Sequence, residues 1–424
     1  MKARFSLFYE TLRASYWWIP SLTLAGSGGL AVVLILLDER IEDNYLHRFA
    51  WIFSGGAEGA RALLSTVAGS VIGVAGTTFT ITIAVLSLTG SQFGPRLLRG
   101  FLRDTGNQFV LGTFVGTFLY CLLVLRTVRS VEESYFVPHL AVTGGMILAI
   151  LSIGVLVYFI HHVSVSIQAS RVIGGVAEEL EKAIDRLYPE EVGVDDREDV
   201  ASSSGEGREP AEGGRESILA ERSGYIMAID GESVLELAKE METVIRLRAR
   251  PGQFLIAGSE IASIAPSEKL PPDFGRRIRN TMTLGDRRTA PQDVEFLILE
   301  LTEVAVRALS PGVNDPFTAI QALDRLTAGF CHLAGRVIPS GRRYDTSGNL
   351  RVVAATVTFT DLAQTAFREI GHYVRKDPAV SRRLRESFEQ IRACAPTEEQ
   401  RAAIHTLYSE FRDGEETVLP TSGK

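Results

Sequence analysis

The chain has 424 residues, a formal net charge of −7 at pH 7 and 46% hydrophobic residues. This length exceeds what one compact domain usually holds, so two or three folded units are expected. Apolar runs concentrate in residues 1–162, whereas the remainder has the charged composition of a soluble protein. Cys121, Cys331 and Cys394 form no CxxC pair, no zinc spacing and no disulfide framework, which favours a reduced, cytoplasmic setting for the soluble half.

Four apolar runs are long enough to cross a bilayer, which takes about 20 helical residues. They are residues 17–37, 67–89, 109–125 and 140–160. The first is not a secretory signal, because the acidic sequence LLDER follows it where a cleavage site would need small residues. No charge interrupts the chain between Arg61 and Arg96, so the second helix is expected to extend beyond the hydrocarbon layer. The sequence therefore predicts an α-helical membrane domain of four spans over residues 1–162.

The charges of the connecting segments predict the orientation of this domain. Residues 1–16 carry three basic side chains against one acid, and the segment 96–103 carries three arginines. The loop after the first span is acidic overall, while Arg126 and Arg129 after the third span run mildly against the pattern. By the positive-inside rule, both termini are expected to be cytoplasmic.

The second span has a face made only of small and hydroxyl-bearing residues at helical spacing. Its members are Ser70, Gly73, Thr77, Thr80, Ala84, Ser87 and Ser91. One interpretation is close helix packing, which the pairs Gly69/Gly73 in the second span and Gly112/Gly116 in the third span also indicate. The other is that in a homo-oligomer the face lines a water-filled path, where hydroxyls replace part of an ion's hydration shell.

None of the four predicted spans contains Asp, Glu, Lys, Arg or His. Active transporters usually place such groups inside the membrane, because a group there must carry the coupled charge. A passive path, or no path, is therefore favoured over a pump.

The second span is followed by SQFGPRLLRGFLRD, in which Arg96, Arg99 and Arg103 recur at helical spacing. One interpretation is an amphipathic segment at the membrane surface whose arginines bind lipid phosphates. In a symmetric oligomer the same arginines would instead form a basic ring at a cytoplasmic mouth, which would favour anions.

The soluble half begins with a predicted helical extension over residues 163–189. Residues 190–223 are acidic and of low complexity, which predicts a disordered linker. Residues 224–290 are expected to form a small α+β subdomain: GYIMAID indicates a strand, GESVLELAKEMETVIRLRA a helix, and RPGQFLIAGSEIASI two short strands around Gly258. Residues 291–424 are expected to form a helical subdomain, so the fold class is a four-span membrane domain plus a mainly helical α+β cytoplasmic domain.

The motif RALSPGVNDPFTAIQALDRL indicates a tight corner between two helices. Asp315 is expected to cap the second helix, with Pro316 at its first position. Capping alone accounts for most of the residue types in the motif. Arg307 and Asn314 are less well explained, so Arg307, Asn314 and Asp315 are candidates for a loop that meets a ligand or partner.

Three stretches of this chain resemble a bacterial family of predicted inner-membrane proteins known only as a domain of unknown function. They are SLTGSQFGPRLLRGFLRD, LGTFVGTFLYCLLVLR and ALSPGVNDPFTA. The resemblance covers nearly the whole chain and implies the membrane topology. It implies no activity and no catalytic residues.

No enzyme signature occurs in the chain: P-loop, GxSxG, HExxH and dinucleotide motifs are all missing. His161 and His162 are adjacent and point to different helix faces, so they are expected to be interfacial residues and not a metal site. The basic stretches GDRRTAPQD and SGRRYD are scattered in an acidic protein, which argues against a nucleic-acid partner. No cofactor, metal or small-molecule substrate is predicted, and membrane lipids and copies of the same chain are the expected partners.

Two functions remain open at the level of the sequence. The first is a homo-oligomeric channel lined by the second span and regulated by the cytoplasmic domain. The second is a membrane-anchored scaffold or sensor without a conduction path.

Overall fold

The protein was analysed as a computed structural model, which describes residues 17–40, 53–94, 104–129, 136–166, 168–188, 214–266 and 270–418. The chain divides into two compact units, Met1–Arg171 and Val172–Lys424. The architecture confirms the predicted fold class of apolar membrane helices followed by a mainly helical α+β domain.

The described residues of the first unit form four helices that are long and apolar enough to cross a membrane. They are α1 (Trp18–Asp38), α2 (Ala57–Phe93), α3 (Thr105–Thr127) and α4 (His139–Ser166). At 37 residues, α2 is about 55 Å long, whereas the hydrocarbon core of a bilayer is about 30 Å thick. The second helix therefore extends beyond its predicted span, as its long uncharged sequence indicates.

Helix α3 packs against each of the other three helices of this unit. Glycines allow its close approach to α1: a Cβ added at Gly112 would lie 2.2 Å from Oγ1 of Thr23, and one at Gly116 would lie 2.5 Å from Oγ of Ser27. The small-residue pair predicted in the third span is thus an internal helix contact. At Gly69 and Gly73 of α2 an added Cβ meets nothing within 4 Å, so that pair makes no such contact with the part of the protomer that the structure describes.

A buried carboxylate joins α1 to the start of α4. Asp38, only 8% exposed, accepts hydrogen bonds from the backbone N–H groups of Leu140 and Ala141, both at 2.9 Å. These N–H groups belong to the first turn of α4, where no partner is available within the helix. The acid that the sequence places in a loop is therefore a cap for a distant helix.

We expect Asp38→Ala to lower the free energy of unfolding of the membrane unit by about 1–3 kcal/mol, because two buried N–H groups lose their acceptor. Glu39→Ala is the matched control, since the neighbouring Glu39 is exposed. Thermal unfolding of both variants in detergent measures the difference. Equal stability of the two variants would contradict this role of Asp38.

In the described residues, the second unit has α5 (Ala169–Leu187), which begins just before the unit boundary, two β-sheets and seven further α-helices. The strands are β1 (Glu216–Leu219), β2 (Gly224–Ile229), β3 (Val244–Leu247), β4 (Phe254–Leu255), β5 (Glu260–Ala265), β6 (Met282–Gly285), β7 (Arg342–Tyr344) and β8 (Leu350–Val353). One sheet has the order β1-β5-β3-β8-β7 and the other β4-β2-β6. All neighbouring strands are antiparallel except β3 and β8, which are parallel.

The remaining helices lie between and after the strands. They are α6 (Gly231–Glu240), α7 (Phe274–Asn280), α8 (Val294–Ala308), α9 (Pro316–Ala334), α10 (Phe359–Val374), α11 (Pro378–Cys394) and α12 (Glu398–Val418). Helices α8 to α12 pack around buried aromatic rings, with the Phe330 and Phe367 centroids 5.1 Å apart and those of Phe367 and Phe388 5.4 Å apart.

Two local predictions for this unit are wrong. The predicted linker 190–223 ends too late, because β1 lies inside it and buries Ile218 against β5; residues 190–213 lie outside the described residues. The helix predicted after β2 also ends early, at Glu240. Glu242 has a left-handed φ of 50°, and the β-branched pair Val244–Ile245 then starts β3.

Two predicted boundaries also differ from the observed arrangement. The helical extension predicted over 163–189 is two helices, α4 and α5. Strands β7 and β8, which come from the region 291–424, complete the five-stranded sheet of the small subdomain. The predicted subdomain boundary at residue 290 therefore separates strands that belong to one sheet.

Candidate functional site

The small-residue face of α2 points away from the other helices of the protomer. The predicted pore-lining residues are all exposed: Ser70, Gly73, Thr77, Thr80, Ala84, Ser87 and Ser91. The opposite side of α2 is buried, through Leu64, Ala68, Val71, Ala75, Thr78, Thr82, Val85 and Thr89. Successive helical residues turn by about 100°, so the two rows lie on opposite sides of the helix. We call the exposed row the outward face of α2.

Three of the five hydroxyl groups on the outward face donate hydrogen bonds to the backbone of their own helix. Thr77 donates to the carbonyl oxygen of Gly73 at 3.1 Å, Thr80 to Gly76 at 2.9 Å and Ser91 to Leu88 at 2.8 Å. Each donor is therefore satisfied in the protomer, while the hydroxyl oxygen keeps its capacity to accept. Such a face tolerates a closely packed neighbouring helix and also contact with water or a cation.

The three candidate arginines Arg96, Arg99 and Arg103 lie outside the described residues. The structure resumes at Asp104, which caps α3 through the N–H of Gly106 at 2.8 Å and pairs with Nε2 of His162 at 2.5 Å. Tyr158 stacks on His162, with ring centroids 5.3 Å apart. His162 thus belongs to a polar cluster with Asp104, whereas His161 is exposed. Within the described residues, no group of three or more His, Cys, Asp or Glu side chains is placed to hold a metal ion.

An apolar cavity of about 660 Å³ lies beside this polar cluster in the membrane unit. Its walls come from α1, α3 and α4, through Ile19, Phe109, Ile150, Leu151, Val155 and Tyr158. This lining is mostly apolar, and its polar side chains are the hydroxyl-bearing Thr105 and Tyr158.

The corner at SPGVNDPF has the predicted helix cap. Asp315 accepts from the N–H of Thr318 at 3.2 Å and from its hydroxyl at 2.6 Å, and Pro316 is the first residue of α9. Arg307 pairs with Glu303 at 2.9 Å. Asn314 is exposed and takes a left-handed φ of 48°, which suits asparagine better than most residues. Whether these residues meet a partner stays a prediction.

The exposed apolar side chains at this corner are not predicted from the sequence. Val313 is 42% exposed and Phe317 is 79% exposed, although both are large hydrophobic residues. At about 100° per residue, Phe317 lies on the side of α9 opposite its buried row, which includes Ala319, Leu323 and Leu326.

We expect Asp315→Ala to lower the free energy of unfolding of the soluble unit by about 1 kcal/mol, because the first turn of α9 loses its capping acceptor. Asp315→Asn is the control, since asparagine also caps helices well. Urea denaturation followed by circular dichroism distinguishes the two. If both variants unfold alike, Asp315 is not needed as a cap.

A partly buried ionic cluster, with a buried carboxylate at its centre, connects the loop after β3 with the start of α8. The carboxylate of Asp293, whose side chain is 1% exposed, pairs with Arg288 at 2.8 Å, and Arg288 also pairs with Glu295 at 2.8 Å. Glu295 receives further contacts from Arg250 at 3.3 Å and from the hydroxyl of Thr365 at 3.2 Å. These five residues hold three segments of the soluble unit together.

Electrostatics in this cluster favour the charged forms. Burial by itself raises the pKa of Glu295, but the hydrogen bond from Arg288 and the charges of Arg250 and Arg288 outweigh it and lower the pKa. Since the folded pKa is below the unfolded one, Glu295 stabilises the fold at neutral pH. That contribution is lost as the pH falls from about 4.3 through the lowered value. Burial, with the charge of Asp293, raises the pKa of the nearby Tyr188 to about 12.

Part of this cluster is visible in the sequence. Gly252 has a φ of 88°, and an added Cβ would lie 2.1 Å from Oδ2 of Asp293, so the Pro-Gly turn must keep its glycine. The stretch GDRRTAPQD contains both Arg288 and Asp293. As a sequence it indicates only scattered charge, because the ion pairs depend on how the chain folds.

Comparison with known proteins gives the same membrane assignment. The family described as "Predicted membrane protein (DUF2254)" matches residues 13–390. The chain belongs to this family. Two relatives are the "Uncharacterized protein Mb1321c" of Mycobacterium bovis and the "Uncharacterized protein Rv1290c" of Mycobacterium tuberculosis. Each is 31% identical over 409 residues, which cover 94% of this chain and 75% of the relative.

No solved structure matches the chain. Neither the family nor these relatives carry an enzymatic description. Four apolar helices and the family description together identify a multi-pass membrane protein.

Proposed function

We propose that this protein assembles with copies of itself through the outward face of α2 and that the assembled faces enclose a passive ion path. The observation that carries the proposal is the exposure of this face on the side of α2 away from the other helices of the unit. A lipid-facing helix needs no such concentration of small and hydroxyl-bearing residues, whereas a path shared between several copies does.

Further support comes from the composition of the face. It carries no ionisable side chain, so it offers no site for a coupled proton, and it fits passive conduction. The hydroxyl oxygens of Thr77, Thr80 and Ser91 keep free lone pairs. These lone pairs can coordinate a cation that passes along the face. The soluble unit follows the membrane unit in the chain, beginning with α5. Its proposed role is to regulate this path.

The orientation completes the proposal. Both termini are cytoplasmic in the bacterial inner membrane, because the basic residues 1–16 and 96–103 flank the first and second spans. Arg96, Arg99 and Arg103 then lie at the cytoplasmic end of α2, where they bind lipid phosphates or surround the mouth.

A membrane-anchored scaffold or sensor is the second candidate function. It is favoured by the hydroxyl donors, which are already satisfied by the carbonyls of Gly73 and Gly76 and need no water. In this arrangement the outward face is a contact between copies, and nothing passes through it.

Ion flux distinguishes the two functions. The purified protein would be reconstituted into vesicles loaded with potassium chloride, and its molar mass would be measured in detergent by light scattering. We expect an assembly of three or more copies and release of salt above that of empty vesicles. A monomer or dimer without flux would contradict the channel and favour the scaffold.

A further inference from the structure

Two cysteines that are far apart in the sequence meet in the soluble unit. Cys331 lies near the end of α9, and Cys394 is the last residue of α11, which packs against α9. The sulfur of Cys331 is 3.8 Å from the carbonyl oxygen of Gln390, one helical turn before Cys394. The thiol of Cys394 is one of the groups that act electrostatically on Cys331. The helix packing and the contact with Gln390 therefore bring Cys331 next to the turn of α11 that ends at Cys394.

The two thiols differ in their surroundings. Cys394 is exposed to solvent, whereas Cys331 is partly buried. Burial, followed by the contact with Cys394, raises the pKa of Cys331 to about 12, so this thiol stays protonated at neutral pH. Cys394 is therefore the group that meets a reagent from solution first, and Cys331 is placed behind it as the resolving thiol.

We propose that Cys331 and Cys394 form a reversible disulfide when the protein meets hydrogen peroxide. The thiolate of Cys394 attacks one peroxide oxygen, the O–O bond breaks, and the released hydroxide takes a proton to become water. Cys331 then loses its proton and attacks the sulfenic sulfur of Cys394, which releases a second water. Two thiols and one peroxide thus give one disulfide and two waters, and a dithiol reductant reverses the reaction.

The bond would constrain the part of the chain between the two cysteines. This part contains β7, β8 and α10, and β8 pairs with β3 in the five-stranded sheet. The disulfide would therefore constrain the segment that leads from α9 to α11 and contributes β7 and β8 to the sheet. Cysteine pairs of this kind in a reducing compartment are usually transient and redox-sensing.

The test uses the full chain in detergent, treated with hydrogen peroxide, alkylated and digested with trypsin. We expect a disulfide between peptides 326–336 and 393–401, its loss after dithiothreitol, and free thiols in protein alkylated during isolation. Cys121, buried in α3, serves as the unreacted reference. Cys331→Ser and Cys394→Ser should each abolish the linked peptide.

A displaced thiol is the matched control for proximity. The double variant Arg392→Cys/Cys394→Ser moves the thiol to an exposed position about 200° around α11. We expect it to form the intramolecular disulfide at least ten times more slowly than the natural pair. The proposal is overturned if the control reacts equally fast, if Cys394 links only to Cys394 of another copy, or if it is over-oxidised without any link to Cys331.

Discussion

Asp293→Ala is expected to lower the free energy of unfolding of the soluble unit by about 3–5 kcal/mol, the usual cost of removing one partner from a buried ion pair. The carboxylate accepts two hydrogen bonds from Arg288 and one from the N–H of Phe296 at 3.1 Å. Without it, the guanidinium of Arg288 loses a bidentate partner in a site where its side chain is 18% exposed. Chemical denaturation of the purified protein, followed by circular dichroism, measures the loss.

An exposed pair elsewhere in the same unit provides the control. Asp273 lies 3.6 Å from Arg276, and both side chains are at least half exposed. Asp273→Ala is therefore expected to change the stability by less than about 0.5 kcal/mol. The role assigned to the ionic cluster would be wrong if the two alanine variants unfolded at the same denaturant concentration.

Thr80→Leu is expected to weaken self-association at least tenfold, which corresponds to about 1.4 kcal/mol. Thr80 lies at the centre of the outward face and is exposed in the protomer. A larger side chain there should leave the internal packing of the protomer intact but prevent close approach of a second copy. Sedimentation in detergent at several protein concentrations measures the shift towards smaller species, and salt release from vesicles should fall with it.

Ile83→Leu is the control for this substitution. Ile83 is 48% exposed on another side of α2, so an isomeric side chain there should alter neither assembly nor flux. An unchanged oligomer and unchanged flux in Thr80→Leu would show that the outward face is not the contact between copies.

Hydrophobic length and local capping explain why much of the fold is predictable from the sequence. Four apolar runs identify α1 to α4, and the Asp315–Pro316 pair identifies the start of α9. The helical period also separates the two sides of α2, because every third or fourth residue shares a face. The period does not show which side packs inside the protomer.

The features that the sequence does not predict depend on contacts between distant residues. Asp38 looks like a loop acid until the start of α4 is beside it. Strand β1 is short and lies at the end of an acidic stretch, so only its pairing with β5 shows it to be a strand. The meeting of Cys331 and Cys394 likewise requires the packing of α9 against α11. None of these contacts leaves a periodic pattern in the sequence.

Cysteine accessibility along α2 tests the ion path most directly. In a chain without its natural cysteines, single cysteines would replace Thr77, Thr80 and Ser87 on the outward face, and Phe79, Ile83 and Leu86 elsewhere on α2. Each variant in membranes would be treated with a charged, membrane-impermeant thiol reagent. A water-filled path predicts reaction at the first three positions and none at the last three, which lipid or protein covers. Six unreactive positions in an intact oligomer would contradict the path and leave the outward face as a contact between helices.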